Sequence, residues 1–124
     1  MAEKVEQALS LAQIKDVQDI TVENLYVPQW DGYVKIKSIS KRQMREIKRA
    51  SRDNANGEID DDVLEMNIFI EGMVEPTVTE EDYEVLLDKS AAAMGLITKG
   101  ILDISRMSDE AVTNEEKSFR PRRR

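Results

Sequence analysis

Carboxylates are the most abundant reactive groups here: 25 Asp and Glu against 18 Lys and Arg, with no His and no Cys. Two carboxylates in different environments of one cleft can share general-acid and general-base work, as in glycoside hydrolysis. In this sequence the acids gather at predicted helix starts and on predicted outer faces, and nothing sets two of them apart. A solvated surface accounts for them, because Asp and Glu are seldom buried. Without His the chain lacks the commonest general base and the commonest metal ligand. Without Cys it lacks disulfides, thiolate metal sites and a thiol nucleophile. Zinc sites built on these residues and Ser-His-Asp triads are therefore excluded. Phosphate-binding glycine patterns are absent too. The expectation is a non-enzymatic protein with no catalytic residues and no cofactor.

One loop invites a metal test. Asn54-Ala55-Asn56-Gly57-Glu58-Ile59-Asp60 looks like part of an EF-hand loop. With Gly57 in the sixth position, Asn54 and Asn56 fall at the third and fifth. Arg52 and Val63 then occupy the first and twelfth positions, where calcium requires carboxylates. The loop reads instead as a helix–helix turn made by Gly57, with the Asn side chains capping it.

Charge is unevenly placed, which says more than the net −7. Lys41, Arg42, Arg45, Lys48, Arg49 and Arg52 face only Glu46 within residues 41–52. Residues 53–88 hold thirteen acids and no base, and the sequence closes on Arg120-Pro121-Arg122-Arg123-Arg124. The basic stretch is the candidate for contacting phosphates. Its acidic neighbour repels a polyanion, and only 5% of the chain is aromatic, so nucleic acid is not the expected partner. An acidic protein, or the acidic segment of another copy in a homo-oligomer, suits it better. Candidate protein-binding residues are therefore Arg42, Arg45 and Arg49 on this stretch. Trp30, the sole tryptophan, lies in a turn and is either a contact hot spot or core. Met66 and Met73 complete the set, either as adaptable contacts or as core filler. The arginine-rich end is an electrostatic hook or a solubilising segment.

The elements that must carry these residues follow from periodicity. A length of 124 residues fits one domain, placed over 1–107, with 108–124 as a flexible tail. Val5, Leu9 and Ala12 suggest a short amphipathic helix within 2–14, or an arm that orders on a partner. Residues 22–39 are rich in β-branched side chains, and Val34-Lys35-Ile36-Lys37 alternates as a half-buried strand does. Asp31-Gly32 marks the turn of a β-hairpin, with Gly as the residue suited to positive φ.

Ser40-x-x-Gln43 is a capping box opening a helix over 41–52, with Met44, Ile47 and Ala50 or Ser51 inward. A second helix spans 60–74, with Val63, Met66, Ile70 and Met73 sharing a face and Leu64, Ile68 and Phe69 widening it. It stops before Pro76. Thr79-x-x-Asp82 caps a third over 80–88, with Tyr83, Leu86 and Leu87 inward. Ser90 opens a fourth over 90–106, with Met94, Ile97, Ile101 and Ile104 inward. The fold class is therefore α+β, mainly α: a small N-terminal β-hairpin followed by a compact bundle of about four short helices. No apolar run reaches the roughly 18 residues of a membrane span. The charged start, Met1 to Glu6, lacks the apolar stretch of a signal peptide, so a cytoplasmic protein with no membrane partner is expected.

The order of these features resembles a known family. Val27-Pro28-Gln29-Trp30-Asp31-Gly32 precedes the strand Tyr33 to Lys37. A basic helix with Arg42, Met44 and Arg45 follows, and a Gly57 to Asp60 turn leads into an apolar helix closing on Val74-Glu75-Pro76. Val78-Thr79-Glu80-Glu81-Asp82-Tyr83, Leu86, Leu87 and the Ile97 to Ile104 stretch complete the pattern. Over residues 10–107 this resembles the tail assembly chaperone family of long-tailed bacteriophages and prophages. The most specific pieces, Val-Pro-x-Trp-x-Gly and Val-Glu-Pro followed by Thr-x-x-Asp-Tyr, are a turn, a helix stop and a helix cap. The resemblance implies a non-enzymatic protein of the host bacterial cytoplasm, absent from the mature virion. It implies binding to the tape measure protein and recruitment of the major tail (tube) protein. It also implies that a frameshift-extended form is common among such proteins. The alternatives are a small nucleic-acid-binding or regulatory protein using helix 41–52, and a structural head–tail connector.

Overall fold

The structure, a computed structural model, describes residues 7–106. The expected tail at 108–124 and the start of the expected 2–14 helix lie outside these residues. The element order is α1 (Leu11–Asp16), β1 (Val22–Val27), β2 (Gly32–Lys37), α2 (Lys41–Ala50), α3 (Asp61–Gly72), β3 (Met73–Glu75), α4 (Glu80–Leu86) and α5 (Ala91–Ile104). The α+β class is as expected: a hairpin near the N-terminal side and helices after it.

β1 and β2 pair antiparallel, with Tyr26 opposite Tyr33 and Leu25 opposite Val34. A turn of 3-10 helix, Pro28–Trp30, joins them. The residue with positive φ there is Asp31, at 50°, and not Gly32 as the Asp-Gly signal suggested. Asp tolerates the left-handed region better than most side chains. Its carboxylate also accepts a 2.9 Å hydrogen bond from the Tyr26 hydroxyl.

The largest departure from expectation is β3. Residues 73–75 leave the helix and add a third strand antiparallel to β2, in the order β1-β2-β3. Met73 caps α3 in an extended conformation, so it is not on the helical face it was expected to share with Met66 and Ile70. The Glu75–Pro76 peptide bond is cis.

α5 is the central helix. Ile97 and Ile101 are fully buried, and Phe69 of α3, Ile36 of β2 and Val27 of β1 join them in one core. Each such side chain contributes about 1.5–3 kcal/mol of burial. Two glycines allow the close approach. A Cβ on Gly72 would sit 2.6 Å from Ile101, and one on Gly100 would sit 3.2 Å from both Ile36 and Leu25. Gly95 meets nothing and has no such role.

The caps match the sequence signals at Ser40/Gln43 and Thr79/Asp82, where both reciprocal bonds form. A third capping box, Ser10/Gln13, starts α1 later than the expected helix, and none of its residues is buried. α2 stops at Ala50 because Arg52 turns to bridge Ile59, and Ser51, not Ala50, faces inward. The Ser51 hydroxyl donates to the Ile47 carbonyl and accepts from Asn67 of α3.

A candidate binding cleft

α3 has two flanks of opposite use. Helical spacing places Asn67 and Glu71 on one side, where Asn67 bonds to Ser51 at the end of α2 and Glu71 to Gln43 within it. Asp62, Glu65, Met66 and Phe69 lie on the other side, towards α4. There the helix start of α4, rich in acids as the macrodipole favours, runs beside the start of α3. Between them, closed by the first turn of α5, is a cleft of about 730 Å³. This lies within the usual range for ligand-sized sites, roughly 300–1,000 Å³.

Its walls differ sharply from its rim. Tyr83 and Met94 are buried at the base, and Met66 and Val63 are half-buried beside them. Asp62, Glu65, Glu80, Glu81 and Glu84 are exposed around it, and among the described residues Lys89 is the single cation of the lining. Phe69 supports the base, its ring meeting Tyr83 edge-on at 5.2 Å. The Tyr83 phenol is held above its ordinary pKa, first by burial and then by the charges of Glu65, Asp62 and Glu84. An apolar base within a ring of carboxylates suits an amphipathic segment with cationic flanks.

The predicted contact residues fall in separate places. Met66 lines the cleft. Met73 is buried in β3 and cannot serve as a surface contact, because strand pairing with Ile36 turns it into the core. Leu87, expected inward, is exposed at the cleft instead. Arg42, Arg45 and Arg49 are exposed along α2, and among the described residues they form no ion pair. The cleft carboxylates and the arginines of α2 lie on opposite flanks of α3.

Trp30 is 36% exposed, in the turn joining β1 and β2. The outer face of that hairpin carries Tyr26 and Tyr33, rings 5.1 Å apart, with Tyr33 71% exposed. Lys35–Glu75 and Lys37–Glu71 ion pairs flank it. Before β1, Leu9, Leu11, Ile14, Val17 and Ile20 are all exposed.

The EF-hand-like loop is closed by its own hydrogen bonds. Gly57, at φ 74°, donates to the Asp53 carbonyl at 2.7 Å. Asn56 and Asp53 side chains accept from Glu58 and Ala55 amides. Asp53, not Asn54, is thus the second side chain that shapes the turn.

The cleft was the feature that residue-by-residue reading missed. Its acids were visible as two clusters at helix starts; that the clusters would face each other depends on how α4 packs on α3. No protein-family model matches this chain, and no curated protein or solved structure is significantly similar to it. No helix among the described residues is long and apolar enough to cross a membrane.

Proposed function

We propose that this chain is a non-enzymatic tail assembly chaperone of a long-tailed bacteriophage. In this reading it binds the tape measure protein, brings tail tube subunits to it in the host cytoplasm, and is absent from the finished virion. The observation that carries the reading is the acid-rimmed cleft with Tyr83, Met66 and Met94 at its base. The resemblance over residues 10–107 supplies the identity of the partners. A tape measure protein presents many amphipathic helical faces of differing sequence. Methionine and tyrosine accommodate varied apolar side chains, and the carboxylates favour those with basic flanks. The outer aromatic face of β1 and β2, with Trp30 at its turn, offers a separate surface for a second partner.

Co-expression with the tape measure protein of the same genome tests this. Wild-type chain should raise the soluble fraction of that protein, and a Glu80→Lys/Glu84→Lys variant should lose most of the gain. A tape measure protein that stays equally insoluble with and without this chain sinks the proposal.

One observation favours a second reading, a nucleic-acid-binding protein using α2. Its basic face is exposed and, among the described residues, free of ion pairs. The cleft acids lie across a helix about 10–12 Å wide, beyond the Debye length of about 8 Å at physiological salt. Their repulsion of a polyanion is thus weaker than the sequence order suggested. Five engaged cations predict a slope of log K against log salt near −4 to −5 on duplex DNA. Undetectable binding at low salt removes this reading.

A further inference from the structure

The cleft has an acidic rim that needs cations and an apolar base that needs a side chain to cover it. Two segments of the sequence are rich enough in cations to answer the rim. α2 is one, but its apolar residues, Met44 and Ile47, are buried in its own core, so it brings charge and nothing for the base. The other is residues 117–124, Lys117-Ser118-Phe119-Arg120-Pro121-Arg122-Arg123-Arg124. It carries five cations and, among them, one aromatic side chain.

We infer that residues 117–124 occupy the acid-rimmed cleft of their own chain, with Phe119 over Tyr83, Met66 and Met94 and the arginines among Asp62, Glu65, Glu80, Glu81 and Glu84. The cleft is then self-covered, and an incoming partner must displace this segment. Reach permits it. The first turn of α5 lines the cleft, and the helix runs from there to Ile104. At 1.5 Å per residue its 14 residues span about 21 Å. The thirteen steps from Arg106 to Phe119 can extend to about 43–47 Å, at 3.3–3.6 Å each. The return along α5 therefore needs half the available length.

Tethering also favours this occupant. A short covalent connection presents the segment at an effective concentration in the millimolar range, so even millimolar intrinsic affinity fills the cleft about half the time. Proline at position 121 resists helix in the segment, so it enters extended, with Phe119 as its single anchor. A longer amphipathic helix presents several anchors on one face and can outcompete it.

This inference shares with the proposed function only the cleft as a binding site. Its test uses no tape measure protein, so the two can fail separately. Methionine-methyl NMR spectra are compared between the full-length chain and a full-length R120E/R122E/R123E/R124E variant. The Met66 and Met94 signals should move in the variant, while those of Met44 and Met73, buried away from the cleft, stay in place and report an intact fold. About 0.5 M salt should move the wild-type Met66 and Met94 signals in the same direction. A synthetic peptide of residues 117–124 should bind the variant at least about tenfold more tightly than wild type, whose cleft is already covered. Tenfold dilution should leave the wild-type spectrum unchanged. Identical Met66 and Met94 signals in wild type and variant overturn the inference. Signals that shift on dilution also overturn it, because the occupant is then a second copy.

Discussion

Two aromatic pairs of nearly equal spacing sit in opposite surroundings. Phe69 and Tyr83 meet at 5.2 Å beneath the cleft, and Tyr26 and Tyr33 meet at 5.1 Å on the outer face of the hairpin. Phe69 is fully buried, whereas Tyr33 is 71% exposed. Ring geometry contributes about 0.5–1.5 kcal/mol to either pair. What separates them is everything around the rings. The inner pair fixes α4 against α3 and so sets where two acidic clusters face each other. The outer pair links two strands that hydrogen bonds already hold, and leaves its faces to solvent. Similar contacts thus build a core in one place and a surface open to a partner in the other.

The comparison breaks most visibly at Phe69. Phe69→Ala leaves a cavity under Tyr83 and should lower stability by about 3–5 kcal/mol. The matched outer change, Tyr33→Ala, should cost under about 1 kcal/mol, since it removes a cross-strand pair and little burial. Urea midpoints of the two variants measure the difference. Similar losses from both would mean that the outer face is packed against something, and the contrast would be lost.

The next effect tests what holds the inner region at its spacing. Gly72 lies at the end of α3, where an added Cβ would overlap Cγ1, Cγ2 and Cδ1 of Ile101. Ile101 is fully buried and has nowhere to go. Gly72→Ala should therefore destabilise by about 1–3 kcal/mol, although Ala is the better helix former by up to about 1 kcal/mol. Adding Ile101→Val should recover part of the loss, and a double-mutant cycle reads the coupling. A stabilised Gly72→Ala variant would show that α3 and α5 are further apart than described.

These regions were unequally legible in the sequence. Ser40-x-x-Gln43 and Thr79-x-x-Asp82 announced α2 and α4, because a cap is made by residues within one turn. Ser10-x-x-Gln13 carries the same kind of signal for α1, but it was passed over. The spacing of Val5, Leu9 and Ala12 had instead drawn the expected helix towards an earlier start. β3 had no local signal of its own. Met73 stands three residues after Ile70 and seven after Met66, which continues a helical stripe. It becomes strand because β2 offers an edge beside it, and that edge is a product of the tertiary fold. The cleft was half legible. Asp62, Glu80 and Glu81 of its rim read correctly as partners of helix starts, but α4 had to be placed before their second role was visible.

The smallest effect separates the two regions through a proton. The Tyr83 phenol titrates above the ordinary value of about 10, because burial disfavours its anion and Glu65, Asp62 and Glu84 repel it. In the unfolded chain the same phenol ionises at its ordinary pKa. Just above pH 10 the unfolded state therefore holds fewer protons than the native state. By linkage, stability must fall as pH rises through this window and lose the Tyr83 contribution by the folded pKa. Tyr26 is also raised, first by its hydrogen bond to Asp31, but it stands in solvent. Tyr83→Phe should flatten the decline in urea midpoint above about pH 10, while Tyr26→Phe should leave most of it. Glu65→Gln should move the Tyr83 titration back towards 10, followed by ultraviolet absorbance, without affecting Tyr26. An equal decline in wild type and Tyr83→Phe would mean that the base of the cleft is as solvated as the outer face.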